Sequence, residues 1–257
     1  MKFSEIKKFA IENKHKLSYI NINDNNLYTG WVSDFHLKYK PKNIQLKLNL
    51  KKESDLFLLF VLASSWSKTG PWENALFFVS FLKINYDIDK IIKSKLKLTP
   101  DDNKFKQDDF IGINARKKIS FRKDFYNSVE ILLKNWNEIK EILLISEKVS
   151  NWKIFIEYIS HLKGLGSNNK AMKIKIPFIL RELRCQNIYS NINGEYCCVA
   201  DERVRKTYKK FKKKLPADYL EASKKIYKDF GDLYDIPAFA FFELTIEEPN
   251  YIAKDKL

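Results

Sequence analysis

The chain has 257 residues, of which 45% are hydrophobic and 14% aromatic. That is enough to bury a sizeable core without staples, and it excludes a disordered chain. Lys and Arg number 47 against 32 Asp and Glu, for a net charge of +15 and a sequence pI of about 9.4. Lone charges are costly to bury, so the excess belongs on the surface, where it suits a polyanion such as nucleic acid. A generally cationic proteome rich in Lys, Ile and Asn would leave the same mark. The three cysteines, Cys185, Cys197 and Cys198, are too sparse and odd in number for a disulfide framework. Neither they nor the scattered His15, His36 and His161 have metal-ligand spacing, so no metal is expected. The amino terminus lacks the apolar stretch of a signal peptide. No apolar run is long enough for a transmembrane helix. A soluble, cytoplasmic protein is therefore expected.

In chain order, Phe3 to His15 reads as an amphipathic helix. Leu17 to Leu50 is irregular, punctuated by Gly30 and Pro41. Within it, Ile44, Leu46, Leu48 and Leu50 alternate with polar residues, which suits a small hairpin. Helical patterns dominate afterwards. Asp55 to Ser65 is a continuous apolar run. Thr69-Gly70-Pro71 breaks it, and Trp72 to Ile84 resumes with Pro71 suited to a first helical turn. Asp87 to Leu96 follows, and Pro100-Asp101-Asp102 marks a turn. Phe125 to Leu133, Trp136 to Ile145 and Trp152 to Leu162 are further helices. Asn169 to Leu183 is another, with a kink expected at Pro177. Asn187 to Gly194 is loop-like. Asp201 to Phe211, Ala217 to Tyr234 and Pro237 to Ile246 complete a mainly α chain.

Two segments carry chemistry. The first is Gly164-Leu165-Gly166-Ser167-Asn168-Asn169-Lys170-Ala171, set between two apolar helical patterns. Glycines permit a tight turn and close approach of another backbone, and free N–H groups at the next helix start can hold a phosphate. An ordinary glycine turn between packed helices would read the same way. The second is Val199-Ala200-Asp201-Glu202-Arg203-Val204-Arg205-Lys206, where an extended apolar approach ends on an Asp suited to cap a helix. The basic run Arg203 to Lys214 follows at once. It fits either phosphate contact or a solvated helix face.

In this order the two segments resemble the helix-hairpin-helix DNA glycosylase superfamily. More narrowly, they resemble the archaeal 8-oxoguanine DNA glycosylase/AP lyase family (AGOG). The likeness runs from about Leu162 to Ile246, including Glu221 to Phe239. A weaker echo covers Thr69 to Phe78 and Phe110 to Lys118, and the first fifty residues are not covered. The resemblance implies a single two-lobed helical unit spanning residues 1–257. Residues of about 54–185 would form the middle lobe, and the amino-terminal segment with about 186–257 the other.

The activity it implies is base excision without a cofactor. Lys170 would be the nucleophile and Asp201 its carboxylate partner, acting on duplex DNA that carries a damaged purine such as 8-oxoguanine or an abasic site. Lys163, Lys173 and Lys175 are the competing amines. The DNA contacts would be Gly164, Gly166, Ser167, Asn168, Asn169, Arg203, Arg205 and Lys206, with the protein acting as a monomer. Trp72 matches a pocket tryptophan of the family, and Phe242 with Glu243 would help form a rebuilt base pocket. The departures are specific. Ile174 and Pro177 stand where the family has an aromatic residue and a lysine, and Phe242 and Ile246 fall near its Asp and Trp. A non-catalytic nucleic-acid-binding protein that kept the hairpin and lost the pocket is the alternative.

Overall fold

The computed structural model describes residues 2–6, 8, 35–39, 42–66, 72–98, 118–165 and 173–233. Among them the chain is mainly helical. Strands β1 (Phe35–Tyr39) and β2 (Lys42–Leu46) pair antiparallel, with Phe35 opposite Leu46 and Tyr39 opposite Lys42. Eight α-helices follow among the described residues: α1 (Glu53–Ser65), α2 (Trp72–Asn85), α3 (Ile88–Ser94), α4 (Lys118–Lys148), α5 (Trp152–His161), α6 (Lys175–Cys185), α7 (Glu202–Lys210) and α8 (Tyr219–Phe230). Short 3-10 turns lie at Phe3–Glu5, Gly194–Tyr196 and Gly231–Leu233.

Helix α1 is the axis. Every residue from Asp55 to Ser65 is buried, as expected of a helix that is apolar on all sides. α2, α3, α4 and α6 all pack against it. Its one carboxylate inside the core, Asp55, accepts from the Asn49 backbone N–H at 2.7 Å and pairs with Lys83 at 2.6 Å. On the opposite side Trp136 of α4 is 1% exposed and meets Phe57 and Phe60 edge-on, with ring centroids 5.0 and 5.6 Å apart. The Trp136 indole N–H donates to Glu53 at 2.9 Å.

Two helices differ from the sequence expectation. Residues 125–145 do not form two helices: α4 runs unbroken through Lys134 and Asn135. Asn135 stays within the ladder, its side-chain amide donating to the Ile131 carbonyl at 2.7 Å. Nor does Pro177 kink a helix. α6 begins at Lys175, so Pro177 sits in the first turn, where the missing N–H would have had no intrahelical partner.

The segment after β2 is tied to α6 by one side chain. The Gln186 amide accepts from the Leu50 N–H and donates to the Leu48 carbonyl, both at 2.9 Å, while Leu46, Leu48 and Leu50 point into the core. At the other end Phe3 packs edge-on against Tyr208, Phe211 and Phe230 of the α7–α8 region. α8 packs on the Gly194–Tyr196 turn, which in turn packs on α6. Ser223 of α8 holds that region, donating to the Glu195 carbonyl at 2.6 Å and accepting from the Cys198 N–H at 2.9 Å. The helix expected over Phe3 to His15 is described only at its start, and the one expected over Pro237 to Ile246 lies outside the described residues.

Candidate functional site

Two helices do flank the glycine-bearing turn. α5 ends at His161, and its C-cap residue Leu162 is extended. The chain then turns over Leu162 to Leu165, closed by the Leu165 N–H donating to the Leu162 carbonyl at 3.1 Å. Gly164 takes φ +87°, a left-handed conformation that L side chains rarely adopt. Leu165 is fully buried and anchors the turn. A Cβ built on Gly164 would lie 3.7 Å from the Ser64 side chain, so the turn rests on the last residues of α1. Gly166, Ser167, Asn168, Asn169 and Lys170 lie outside the described residues, as do Phe242, Glu243 and Ile246. Trp72 opens α2.

On the far side of the turn, Lys175 opens α6 and is 1% exposed. Its Nζ donates to the Ser64 carbonyl at 3.0 Å and the Gly164 carbonyl at 2.9 Å. Ser64 lies in the last turn of α1, where carbonyls lack intrahelical donors, so the amine satisfies one of them. Burial pushes the Lys175 ammonium down from its ordinary value to about 7. A neutral amine has two N–H donors, and here two carbonyls accept them.

This buried amine should leave a signature in stability. Between pH 7 and the ordinary lysine value of 10.5 the unfolded chain holds a proton that the native chain lacks. Stability therefore rises with pH through that window, and the full burden of the buried amine is present below it. Lys175→Met removes the titration. Urea unfolding at pH 7.0 and 9.5 should show the wild type gaining on the variant by on the order of 1 kcal/mol per pH unit. A constant difference between the two proteins would contradict the assignment.

Of the competing amines, Lys163 is exposed on the turn, Lys173 is half-buried just before α6, and Lys175 is enclosed. Further along α6, Arg181 and Glu182 are fully buried, with Arg181 Nη1 3.2 Å from Glu182 Oε1. Ile174 is half-buried and Pro177 buried. Spacing marks Lys175 and Glu182, though not Arg181, as inward-facing in the sequence. Lys175, Phe178, Ile179 and Glu182 fall three and four residues apart on one face.

Asp201 is the N-cap of α7, with extended backbone, and is 8% exposed. Its Oδ1 accepts from the Val204 N–H at 2.9 Å, and its Oδ2 pairs with Arg203 Nε at 2.8 Å. The other two expected DNA contacts on α7 also have partners within the chain. Arg205 donates to the carbonyls of Ala200, Pro216 and Ala217, bracing the chain on either side of its helix. Lys206 pairs with Glu202 one turn back at 2.9 Å. Beyond them Lys209, Lys210, Lys212 and Lys214 are exposed, and Lys213 lies over the Phe3 ring at 5.1 Å.

Among the described residues no group of three or more His, Cys, Asp and Glu side chains is placed to hold a metal. No helix among them is long and apolar enough to cross a membrane. No family model, no curated protein and no solved structure is significantly similar to the chain.

Proposed function

We propose that the chain docks on duplex DNA through the turn between α5 and α6 and the lysines at the end of α7. There it excises a damaged purine such as 8-oxoguanine and cuts the strand. The observation that supports this reading is the pair of local structures just described. A left-handed glycine turn follows one helix and precedes another in the chain, and a buried carboxylate caps a helix whose first two turns carry Arg203, Arg205 and Lys206. Both are what a helix-hairpin-helix glycosylase requires of this sequence order.

In the proposed reaction the target nucleotide is flipped out of the stack, because its sugar is unreachable inside the duplex. The neutral amine of Lys170 attacks C1′, and the bond from C1′ to the base breaks with its electron pair leaving on the base. The amine nitrogen gives one proton to the departing base and a second to O4′ as the C1′–O4′ bond breaks with its electron pair on that oxygen, leaving an imine at C1′. Removal of a C2′ proton then expels the 3′ phosphate by β-elimination, and water releases the sugar from the amine. The Asp201 carboxylate offsets positive charge developing on the sugar. No bound cofactor enters this scheme.

Borohydride reduction of the imine tests it. The wild type should become covalently linked to duplexes bearing an abasic site or a damaged purine. Asp201→Asn keeps a good capping side chain while removing the charge. It should slow base release roughly 10²-fold, as for loss of an acid–base group, with stability nearly unchanged.

The second reading is a hairpin-bearing nucleic-acid-binding protein without catalysis. Its support is that both Asp201 oxygens are engaged within α7, while apolar Ile174 and Pro177 occupy the positions of the family's recognition side chains. Salt-sensitive DNA binding with no trapping across a lesion panel would favour it. Binding that ignores salt would count against both readings.

A further inference from the structure

We infer that Lys175 is a positioning residue of the hairpin: by holding the Ser64 and Gly164 carbonyls at once, it sets the turn in the shape that receives a DNA backbone phosphate. The inference rests on the proposed docking of DNA at this turn and names the side chain on which that docking depends.

The geometry is specific. α5 hands the chain to Leu162 with extended backbone, and the turn that follows has one internal backbone bond among the described residues, from Leu165 to Leu162. One such bond leaves a glycine turn considerable freedom, because glycine visits left-handed and right-handed conformations with similar ease. Two contacts remove it. Leu165 is buried, which fixes the end of the turn, and the Lys175 bond at 2.9 Å fixes the Gly164 carbonyl. The same Nζ bonds Ser64 at 3.0 Å, so the reference point is α1, a helix buried from Asp55 to Ser65. Orienting the Gly164 carbonyl also orients the peptide plane it shares with the Leu165 N–H. A phosphate site made of backbone N–H groups depends on the direction of those groups, so preorganising the turn strengthens binding without touching the ligand.

The wild type, Lys175→Met, Gly164→Ala and the double variant decide the matter. The methionine keeps the buried stem and loses both hydrogen bonds. The alanine leaves the amine in place and strains the turn through its positive φ, while its methyl meets only ordinary contact with Ser64. Kd is measured on a duplex carrying a tetrahydrofuran abasic-site analogue, and the single-turnover rate on an abasic duplex at saturating protein. Amide exchange is followed without DNA. Each single variant should raise Kd by about tenfold with the saturated rate within about twofold, the split expected when binding rather than chemistry is lost. The double variant should bind no more weakly than the worse single one, because both changes break one coupled unit. Amides of the 162–165 turn should exchange about tenfold faster in either single variant, with those of α4 unchanged.

A folded Lys175→Met protein with wild-type Kd overturns the inference and leaves hairpin docking standing. Additive losses in the double variant overturn it too. A wild type that shows no salt-sensitive binding removes the docking itself, and the inference falls with it. Should Lys175→Met fail to fold, Lys175→Gln, whose shorter amide cannot bond both carbonyls, takes its place in the same measurements, and a wild-type Kd there overturns the inference.

Discussion

Replacing Lys170 by Gln should abolish covalent trapping and reduce strand cleavage by at least roughly 10³-fold, while the affinity for an abasic-site duplex stays within about threefold. The reason is chemical. Only a neutral amine can attack the sugar carbon and carry the strand as an imine, and a carboxamide of similar length retains the polar surface without the nucleophile. Of the nearby amines, Lys175 cannot substitute as placed, because it is enclosed and both of its contacts are backbone carbonyls. Lys163, exposed on the turn, and Lys173, half-buried before α6, are the residues whose variants belong beside Lys170→Gln. Undiminished cleavage by the Gln variant would remove position 170 from the chemistry. Loss of trapping only in Lys163→Gln or Lys173→Gln would move the nucleophile along the hairpin.

The second large effect is on stability. Trp136→Ala should destabilise the fold by about 3–5 kcal/mol, measured by urea unfolding. The indole is almost wholly enclosed between Phe57 and Phe60, and its removal leaves a cavity against the central helix that a 31-residue helix on one side and α1 on the other cannot readily close. Trp136→Phe separates packing from polarity. It keeps most of the ring contact and loses the hydrogen bond to Glu53, and should cost only about 1 kcal/mol beyond the loss of ring volume. Lys140 also bonds Glu53 and, with that bond as the largest cause, holds its carboxyl below the usual carboxylate range, so the acid keeps a partner in either variant. If alanine costs no more than phenylalanine, the rings around Trp136 collapse onto the gap and the packing account fails.

The features most legible in the sequence are those set by local rules. Asp201 was readable as an N-cap because an acidic residue ended an apolar approach and preceded a basic amphipathic turn, and the helix begins one residue later. Gly164 was readable as a turn residue, and its positive φ is the reason a glycine suits the position. α1 was evident as an unbroken apolar run.

What escaped was set by three-dimensional context. Lys134 and Asn135 looked like a break between two helices. They are tolerated because Lys134 is exposed and the half-buried Asn135 satisfies its amide on the Ile131 carbonyl, while the other face of the helix is anchored along its length. Pro177 reads as a kink because nothing in the pattern from Asn169 to Leu183 marks Lys175 as the start of α6. Lys175 looked like a possible nucleophile because its chemistry was visible and its enclosure was not: burial depends on α1 and the turn meeting it from distant parts of the chain. Arg205 likewise looked like a phosphate contact, and the carbonyls of Pro216 and Ala217 that accept from it lie past the end of its own helix.

The amide of Gln186 behaves as a borrowed rung of ladder, hydrogen-bonding to Leu48 and Leu50 as a neighbouring strand would. It is the C-cap of α6, the helix whose first residue reaches the turn. Gln186 at one end of α6 and Lys175 at the other therefore make a single helix the link between the Leu48–Leu50 backbone and the Gly164 carbonyl.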